Sequence, residues 1–536
     1  MAETTIEVEP TAVHRFRKGR TAGIVGMLTA LVAVVGYLRE ATLAARFGIS
    51  ATMDAYFAAI FIPNIVYLIL IAGTLSPVFI PILMQENPDE NPKKASLTFS
   101  VITTFALMVL SFIVLLGVLG ARLWLPHLFP GFSQPTTEAA LRLVYIVFPA
   151  LPFLGLAGIL TALLNGFHRF WLASFAPALA SATVIAAAIF YRGSNAIYVV
   201  GIATAAGFVA QSIVLLPAMT ALGIRYRPVV NFRHPAISKL LRLGIPLFLY
   251  LAVANAAMLL ERNLASRISP GAVSVLTYAF RLFTVPANFL AAPLAIVAYP
   301  GFVREAARDL RGQLGKQTSS LFRVVIFIFL PATVWTVLNA APVTSLLYQH
   351  GKFSAADSGI TAQVLAIYSF GILPNAIAIV LLRCFFAIED TLTPLLTELV
   401  NLVCFVGTAI FLSRHFGLQG LVVARTLTFF LVMTVLASIL ARRRLLDLNA
   451  DFIWFFVRTA GATLIMGIVS WLGLHLLQST FDYGNILIRL GVICLLLAVA
   501  AGVFLMTAGL FKLGETKQIV HTVLELMPGL KNRGRP

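Results

Sequence analysis

Residues 55–84 read AYFAAIFIPNIVYLILIAGTLSPVFIPILM, thirty positions without one charged side chain. At about 1.5 Å of rise per residue, a helix of this length exceeds the roughly 30 Å hydrocarbon core of a bilayer, so the stretch predicts a membrane span. It is far too long, and does not alternate, for a barrel strand. Outward from it, apolar runs recur near 22–40, 97–120, 140–164, 172–191 and 197–222. A second set follows near 240–260, 272–302, 319–347, 359–387, 393–413 and 417–440, and two more near 454–477 and 485–511. The expected fold is an all-α polytopic membrane protein of roughly fourteen transmembrane helices, with Pro, Gly and charge clusters marking the breaks.

Composition excludes a soluble chain. Of the 536 residues, 60% are hydrophobic and only 11% charged, with a mean hydropathy of +0.94, so lipid has to solvate the apolar surface. The net charge of +18 lies in short basic clusters between apolar runs, which the positive-inside bias explains without nucleic acid. The first apolar run is preceded by Arg15, Arg17, Lys18 and Arg20 and lacks a small-residue cleavage site, which predicts a retained helix. Cys384, Cys404 and Cys494 all fall in apolar segments, where a thiol behaves as a small buried hydrophobe.

Basic residues in alternate connections set the orientation. The N-terminal tail, the 223–239 loop with Arg225, Arg227, Arg233 and Lys239, the 303–318 loop, the Arg442-Arg443-Arg444 run and the C-terminal tail fall on one side, expected to be the cytoplasm. Both termini are then cytoplasmic and the 261–271 connection lies outside.

The chain repeats itself. An offset of 223 carries Arg39 onto Arg262, Phe57 onto Phe280, Pro63 onto Pro286, Pro77 onto Pro300 and Phe79 onto Phe302. Six spans repeat, and because six is even the copies share orientation, as in parallel-repeat transporters. The expected plan is a tail at 1–21, an N-lobe at 22–222, a loop at 223–239, a C-lobe at 240–440, a basic loop at 441–453, a terminal helix pair at 454–511 and a tail at 512–536.

Charges inside apolar segments are costly, about 2.5–3.5 kcal/mol on insertion scales, and usually face a partner or a wet cavity. Arg39 and Glu40 close the first span, Asp54 opens the second, Glu261 and Arg262 close the seventh, and Arg281 sits about ten residues into the eighth, roughly halfway across. An arginine at that depth either pairs within the bundle or offers its fork of donors to a phosphate or diphosphate. Arg39 and Arg262 could be interfacial anchors, but their repeat symmetry with Arg281 nearby favours a shared anion site. Arg383, Glu398, Arg425, Arg458 and Arg489 also fall in or beside spans and receive no role. Gly73 with Pro63 and Pro77, and Pro286 with Pro300, interrupt helix at corresponding places and are hinge candidates. There is no nucleotide-binding loop and no metalloprotease or serine-hydrolase motif, and His168, His350 and His415 stand singly in predicted loops, so no enzyme, metal or cofactor is implied.

The residues Arg39-Glu40-Ala41 to Phe47-Gly48, Asp54-Ala55-Tyr56-Phe57, Pro63-Asn64, Gly73, Ser76 and Phe79-Ile80-Pro81-Ile82-Leu83 resemble the opening of the MurJ (MviN) lipid II flippase family, in the multidrug/oligosaccharidyl-lipid/polysaccharide exporter superfamily. Tyr278-Ala279-Phe280-Arg281-Leu282 with Pro286, Gly351-Lys352-Phe353 and Asp390-Thr391-Leu392-Thr393-Pro394 agree in order and spacing. The resemblance implies fourteen spans in two six-helix lobes plus a terminal pair. It also implies transport of an undecaprenyl-diphosphate-linked saccharide, lipid II for peptidoglycan synthesis, to the outer leaflet of a bacterial inner membrane. Arg39, Asp54 and Arg281 match functional positions of that family, and Arg262 joins them through the repeat. Partners would be the lipid-linked saccharide diphosphate, membrane lipids and the cell-wall synthesis machinery. Ala33, Tyr67, Leu68, Ala72 and Phe280 stand where charged residues are usual, so a less charged cavity is expected. Flipping of a capsule, exopolysaccharide or O-antigen unit, and drug/cation antiport, are the alternatives. No coupling ion is indicated.

Overall fold

The structure, a computed structural model, describes residues 12–88, 90–308, 311–480 and 486–514, and all the regular elements among them are helices. The first half contains α1 (Ala12–Phe47), α2 (Ala51–Met84), α3 (Pro92–Leu119), α4 (Ala121–Leu128), α5 (Gln134–Gly166), α6 (Phe170–Phe190) and α7 (Ala196–Thr220). The second contains α8 (Pro235–Ile268), α9 (Ala272–Ala307), α10 (Arg311–Leu338), α11 (Ala340–Tyr348), α12 (Ala355–Ser369), α13 (Ile372–Ala387) and α14 (Leu392–Arg442). Two more follow, α15 (Ala450–Thr480) and α16 (Ile486–Leu510).

Among the described residues, 11 helices are long and apolar enough to cross a membrane, or 12 when α12 and α13, bent by 45°, form one span. The sequence count of fourteen differs from this for two reasons. Helix α14 joins the predicted spans 393–413 and 417–440 across a kink at Gly417, whose φ of 56° and ψ of −134° are not helical. The first predicted span lies within α1, which starts inside the predicted tail. Residues 1–11 and 515–536 of the two predicted tails lie outside the described residues. His415 is not in a loop: it sits on α14, its Nδ1 2.8 Å from Phe411 O. Cys384 is buried as expected, but Cys404 and Cys494 are exposed, because the outer faces of membrane helices meet lipid and leave a thiol uncovered.

The 223-residue offset extends to the helix bounds. It carries Ala12–Phe47 onto 235–270, where α8 runs Pro235–Ile268, and Ala51–Met84 onto 274–307, where α9 runs Ala272–Ala307. It also carries Gly48 onto Gly271, and both stand in the left-handed region, at φ 62° and 88°, in the turn between the two helices of each copy. Each repeat then widens into a π segment after its matched proline, at Tyr67–Leu75 after Pro63 and at Ala287–Ala291 directly after Pro286. Proline removes one backbone donor, and such a gap in the i→i−4 ladder favours local rewiring.

Two compact units emerge from the packing. One takes in the described residues of Met1–Phe47, Ala55–His127 and Ser133–Leu251; the other takes in those of Gly48–Asp54, Leu128–Phe132 and Ala252–Pro536. In the first, Phe79, Leu83, Phe99, Leu151 and Leu163 are buried in one cluster. Lipid tails are as apolar as leucine, so close fit rather than water exclusion holds such helices together. Small residues provide it: a Cβ on Gly207 of α7 would come within 2.7 Å of the Ala180 Cα on α6.

A strap along α3 completes this unit. Ser96, Ser100 and Thr104 accept hydrogen bonds from the backbone N–H groups of Arg225, Arg227 and Val229, at 3.1, 3.1 and 3.2 Å. Four helical residues rise about 6 Å, close to the roughly 6.6 Å covered by two residues of extended chain, so the two rows stay in register. Tyr226 packs its ring on Phe99, with centroids 6.4 Å apart.

Candidate functional site

The second unit concentrates buried charge where α8, α9, α12 and α14 supply side chains. Gly271 opens α9 without a capping side chain, and Asp54 takes that role from far away in sequence. Its Oδ2 accepts the Gly271 N–H at 2.6 Å, and its Oδ1 accepts the Ser274 N–H at 2.7 Å and the Ser274 hydroxyl at 2.5 Å. A carboxylate at a helix N-terminus satisfies orphan donors and meets the positive end of the dipole. At 1% exposure, Asp54 is fully engaged by protein.

Arg262, at 6% exposure, donates from Nη1 to Thr277 Oγ1 at 2.6 Å, and Thr277 donates on to Val273 O at 2.7 Å. Next to it, Glu261 accepts the Tyr368 hydroxyl at 2.5 Å and has Arg425 Nε 4.0 Å from its other oxygen. Arg425 lies 5.0 Å from the Phe429 ring centroid and 5.6 Å from that of Phe405. Glu398 accepts from Asn401 Nδ2 at 2.9 Å. Buried charges of opposite sign thus stand within reach of one another, as low-dielectric surroundings demand.

Arg281 differs. It is the tenth residue of α9, within electrostatic reach of Arg262, and its side chain is exposed. Beside it, Phe280 packs against Phe283 and Tyr368 at 5.5 and 5.8 Å, and Phe283 stacks on Phe429 at 5.4 Å. These rings pack together inside the bundle, while on the same helix the exposed guanidinium of Arg281 can take an anion bidentately.

Of the predicted site residues, Asp54, Arg262 and Arg281 belong to the second unit. Arg39 belongs to the first, where it is paired with Glu40 at 2.6 Å and keeps 25% of its side chain exposed. The hinge candidates flank or lie in the π segments: Gly73 inside the first, Pro63 ahead of it and Pro77 after it, Pro286 immediately before the second and Pro300 on the helix that follows. The sequence reading missed Tyr368 and gave Arg425 no role. The signal for Arg425 was a charge among apolar neighbours; Tyr368 carried none beyond lying 223 residues after Tyr145.

Long apolar helices, a doubled architecture and charges buried within the bundle define a multi-pass membrane transporter rather than an enzyme. The family model described as Lipid II flippase MurJ matches residues 43–491, and the chain belongs to that family. A lipid II flippase of Burkholderia cenocepacia is 26% identical over 458 residues, covering 83% of this chain and 88% of that protein. A probable lipid II flippase of Buchnera aphidicola is 25% identical over 473 residues, covering 87% and 92%. Among solved structures, a lipid II flippase MurJ in an inward closed conformation superposes with a TM-score of 0.76 at 21% identity, covering 91% of this chain and 98% of that one. An inward-facing multidrug resistance MATE family transporter of the MOP superfamily gives 0.64 at 16% identity, covering 78% and 98%. The fold is therefore shared with both groups.

Proposed function

We propose that this chain moves lipid II, an undecaprenyl-diphosphate-linked saccharide, from the inner to the outer leaflet of the bacterial cytoplasmic membrane. It works by alternating access, without nucleotide hydrolysis of its own, with both termini in the cytoplasm and in company with the cell-wall synthesis machinery. The supporting observation is Arg281, a guanidinium exposed ten residues into a membrane helix of the family's matched region. In this reading Arg281 takes the diphosphate, Asp54 and Arg262 fix the ends of α8 and α9 around it, and Arg39 contributes a second cationic contact on the strength of its sequence match. The π segments with Gly73, Pro63, Pro77, Pro286 and Pro300 are the bending points.

Complementation tests this reading. The gene should restore growth to a bacterium depleted of its own lipid II flippase, and the reconstituted protein should move lipid II between leaflets. Failure of both, with the protein present in the membrane, overturns it. Translocation of a capsule or O-antigen unit in place of lipid II would point to the less charged surroundings of Tyr67, Leu68 and Phe280 as the reason.

A further inference from the structure

In the second unit, away from the charges of α8, α9 and α14, a cavity of about 360 Å³ opens among α11, α12 and α16. Its polar lining is Ser345, Gln349, Ser358 and Arg489, and Arg489 is the one charged side chain among the described lining residues. Arg489 Nη1 donates to Ser345 Oγ at 3.2 Å, and the Ser345 hydroxyl donates to Gln349 Oε1 at 2.6 Å. The first turns of α12, including Ser358 and Gly359, form another wall. The nearby carboxylate, Asp357, is outside the lining and is occupied in a capping box with Ser354, at 2.9 and 3.1 Å. On α16, flanking the cavity, Ile486, Leu487 and Leu490 are 51%, 72% and 47% exposed, as suits residues covered by acyl chains in a membrane protein.

We propose that this cavity is a binding site for the phosphate of a membrane lipid, with Arg489 as its cationic anchor and the lipid chains lying along the start of α16. The reasoning is one of matched chemistry: a forked donor with a hydroxyl and an amide beside it suits a phosphate, and the adjoining apolar strip suits what the phosphate is attached to. The site is distinct from Arg281 and does not depend on the identity of the transported saccharide. A phospholipid and a polyprenyl diphosphate share the recognised chemistry.

The full chain in detergent is titrated with dioctanoyl phosphatidylglycerol, with farnesyl diphosphate and with dioctanoylglycerol, which lacks phosphate, while thermal stability and bound lipid by native mass spectrometry are followed. Saturable binding of at least one phosphate lipid is expected, and none of dioctanoylglycerol. Arg489→Gln should weaken it about tenfold, the loss of one charge-assisted contact. Gly359→Leu should weaken it as much while leaving the arginine in place, since no heavy atom lies within 4 Å of a Cβ there and the new side chain grows into the open space. Arg458→Gln, on α15, should bind as the wild type does. Phosphatidylglycerol binding assigns the site to bulk phospholipid, and farnesyl diphosphate binding alone assigns it to a polyprenyl carrier. Wild-type binding by Gly359→Leu, or equal binding of dioctanoylglycerol, overturns the proposal even if Arg489→Gln fails to accumulate.

Discussion

Asp54 and Ser274 are joined twice, the Asp54 Oδ1 accepting both the Ser274 N–H at 2.7 Å and its hydroxyl at 2.5 Å across a sequence separation of 220 residues. The carboxylate does for α9 what a local capping residue does elsewhere. Asp54→Ala would leave two buried backbone donors without their partner, at about 1–3 kcal/mol each. We expect a clear fall in melting temperature in detergent. Ser274→Ala should cost about 1 kcal/mol, and the double variant little more than Asp54→Ala, since both remove one contact. Simple additivity would mean that the two residues act apart.

Arg281 should matter for transport and not for folding. Arg281→Ala is expected to abolish lipid II translocation in proteoliposomes at wild-type protein levels, and Arg281→Lys to restore it only in part, because an ammonium keeps the charge but loses the fork. Full-rate transport by the alanine variant would remove Arg281 from the site.

The Glu261, Tyr368 and Arg425 cluster makes the opposite prediction. Arg425→Leu takes one of two nearby cations from the buried Glu261 and should destabilise the protein, by up to about 3–5 kcal/mol, whereas the paired change Glu261→Gln with Arg425→Leu should recover most of that. Melting curves of the three proteins decide it; equal losses in the single and double variants would contradict the pairing.

Asp390 offers a pH test outside the spans. Burial alone would raise its pKa, but hydrogen bonds from the Thr393 hydroxyl and N–H, together with Arg443 at 2.6 Å, outweigh that and hold it below the ordinary carboxylate value. A depressed folded-state pKa means that the contribution is present in full above the unfolded value, about 3.9, and is lost as pH falls through the folded one. Stability should therefore decline below about pH 4 more steeply in the wild type than in Asp390→Asn. Parallel pH profiles would refute this.

Orientation is testable by cysteine labelling after Cys384, Cys404 and Cys494 are replaced. A membrane-impermeant maleimide applied from outside should label Arg267→Cys and spare Arg233→Cys. The reverse pattern would invert the topology.

Sequence periodicity is strong where lipid imposes it, and that is why the spans and the repeat were readable from the apolar runs and from pairs such as Pro63 and Pro286. Partnerships were less so. Nothing near Asp54 in the chain indicates that its hydrogen bonds go to Gly271 and Ser274, and the repeat that puts Arg262 at an anion site gives no sign that it donates to Thr277. Gly48 and Gly271 carry the repeat as plainly as the prolines do, but they lie between spans, where a search for apolar runs does not look. Gly417 similarly conceals a kink within one continuous run of helix.

The hydroxyl row on α3 alters the mechanics of the connection that follows α7. A 17-residue loop between 223 and 239 would ordinarily be a slack cord, open to proteases and indifferent to length. With 225–229 fastened at three points, Phe232 packed on Phe105 of α3 with ring centroids 6.2 Å apart, 231–234 closed in a hydrogen-bonded turn and α8 starting at Pro235, little of the connection is left as free contour. Trypsin should spare the Arg225–Tyr226 bond although the Arg225 side chain is exposed, and an insertion at 230–234 should be tolerated better than one at 225–229, which would unfasten the row.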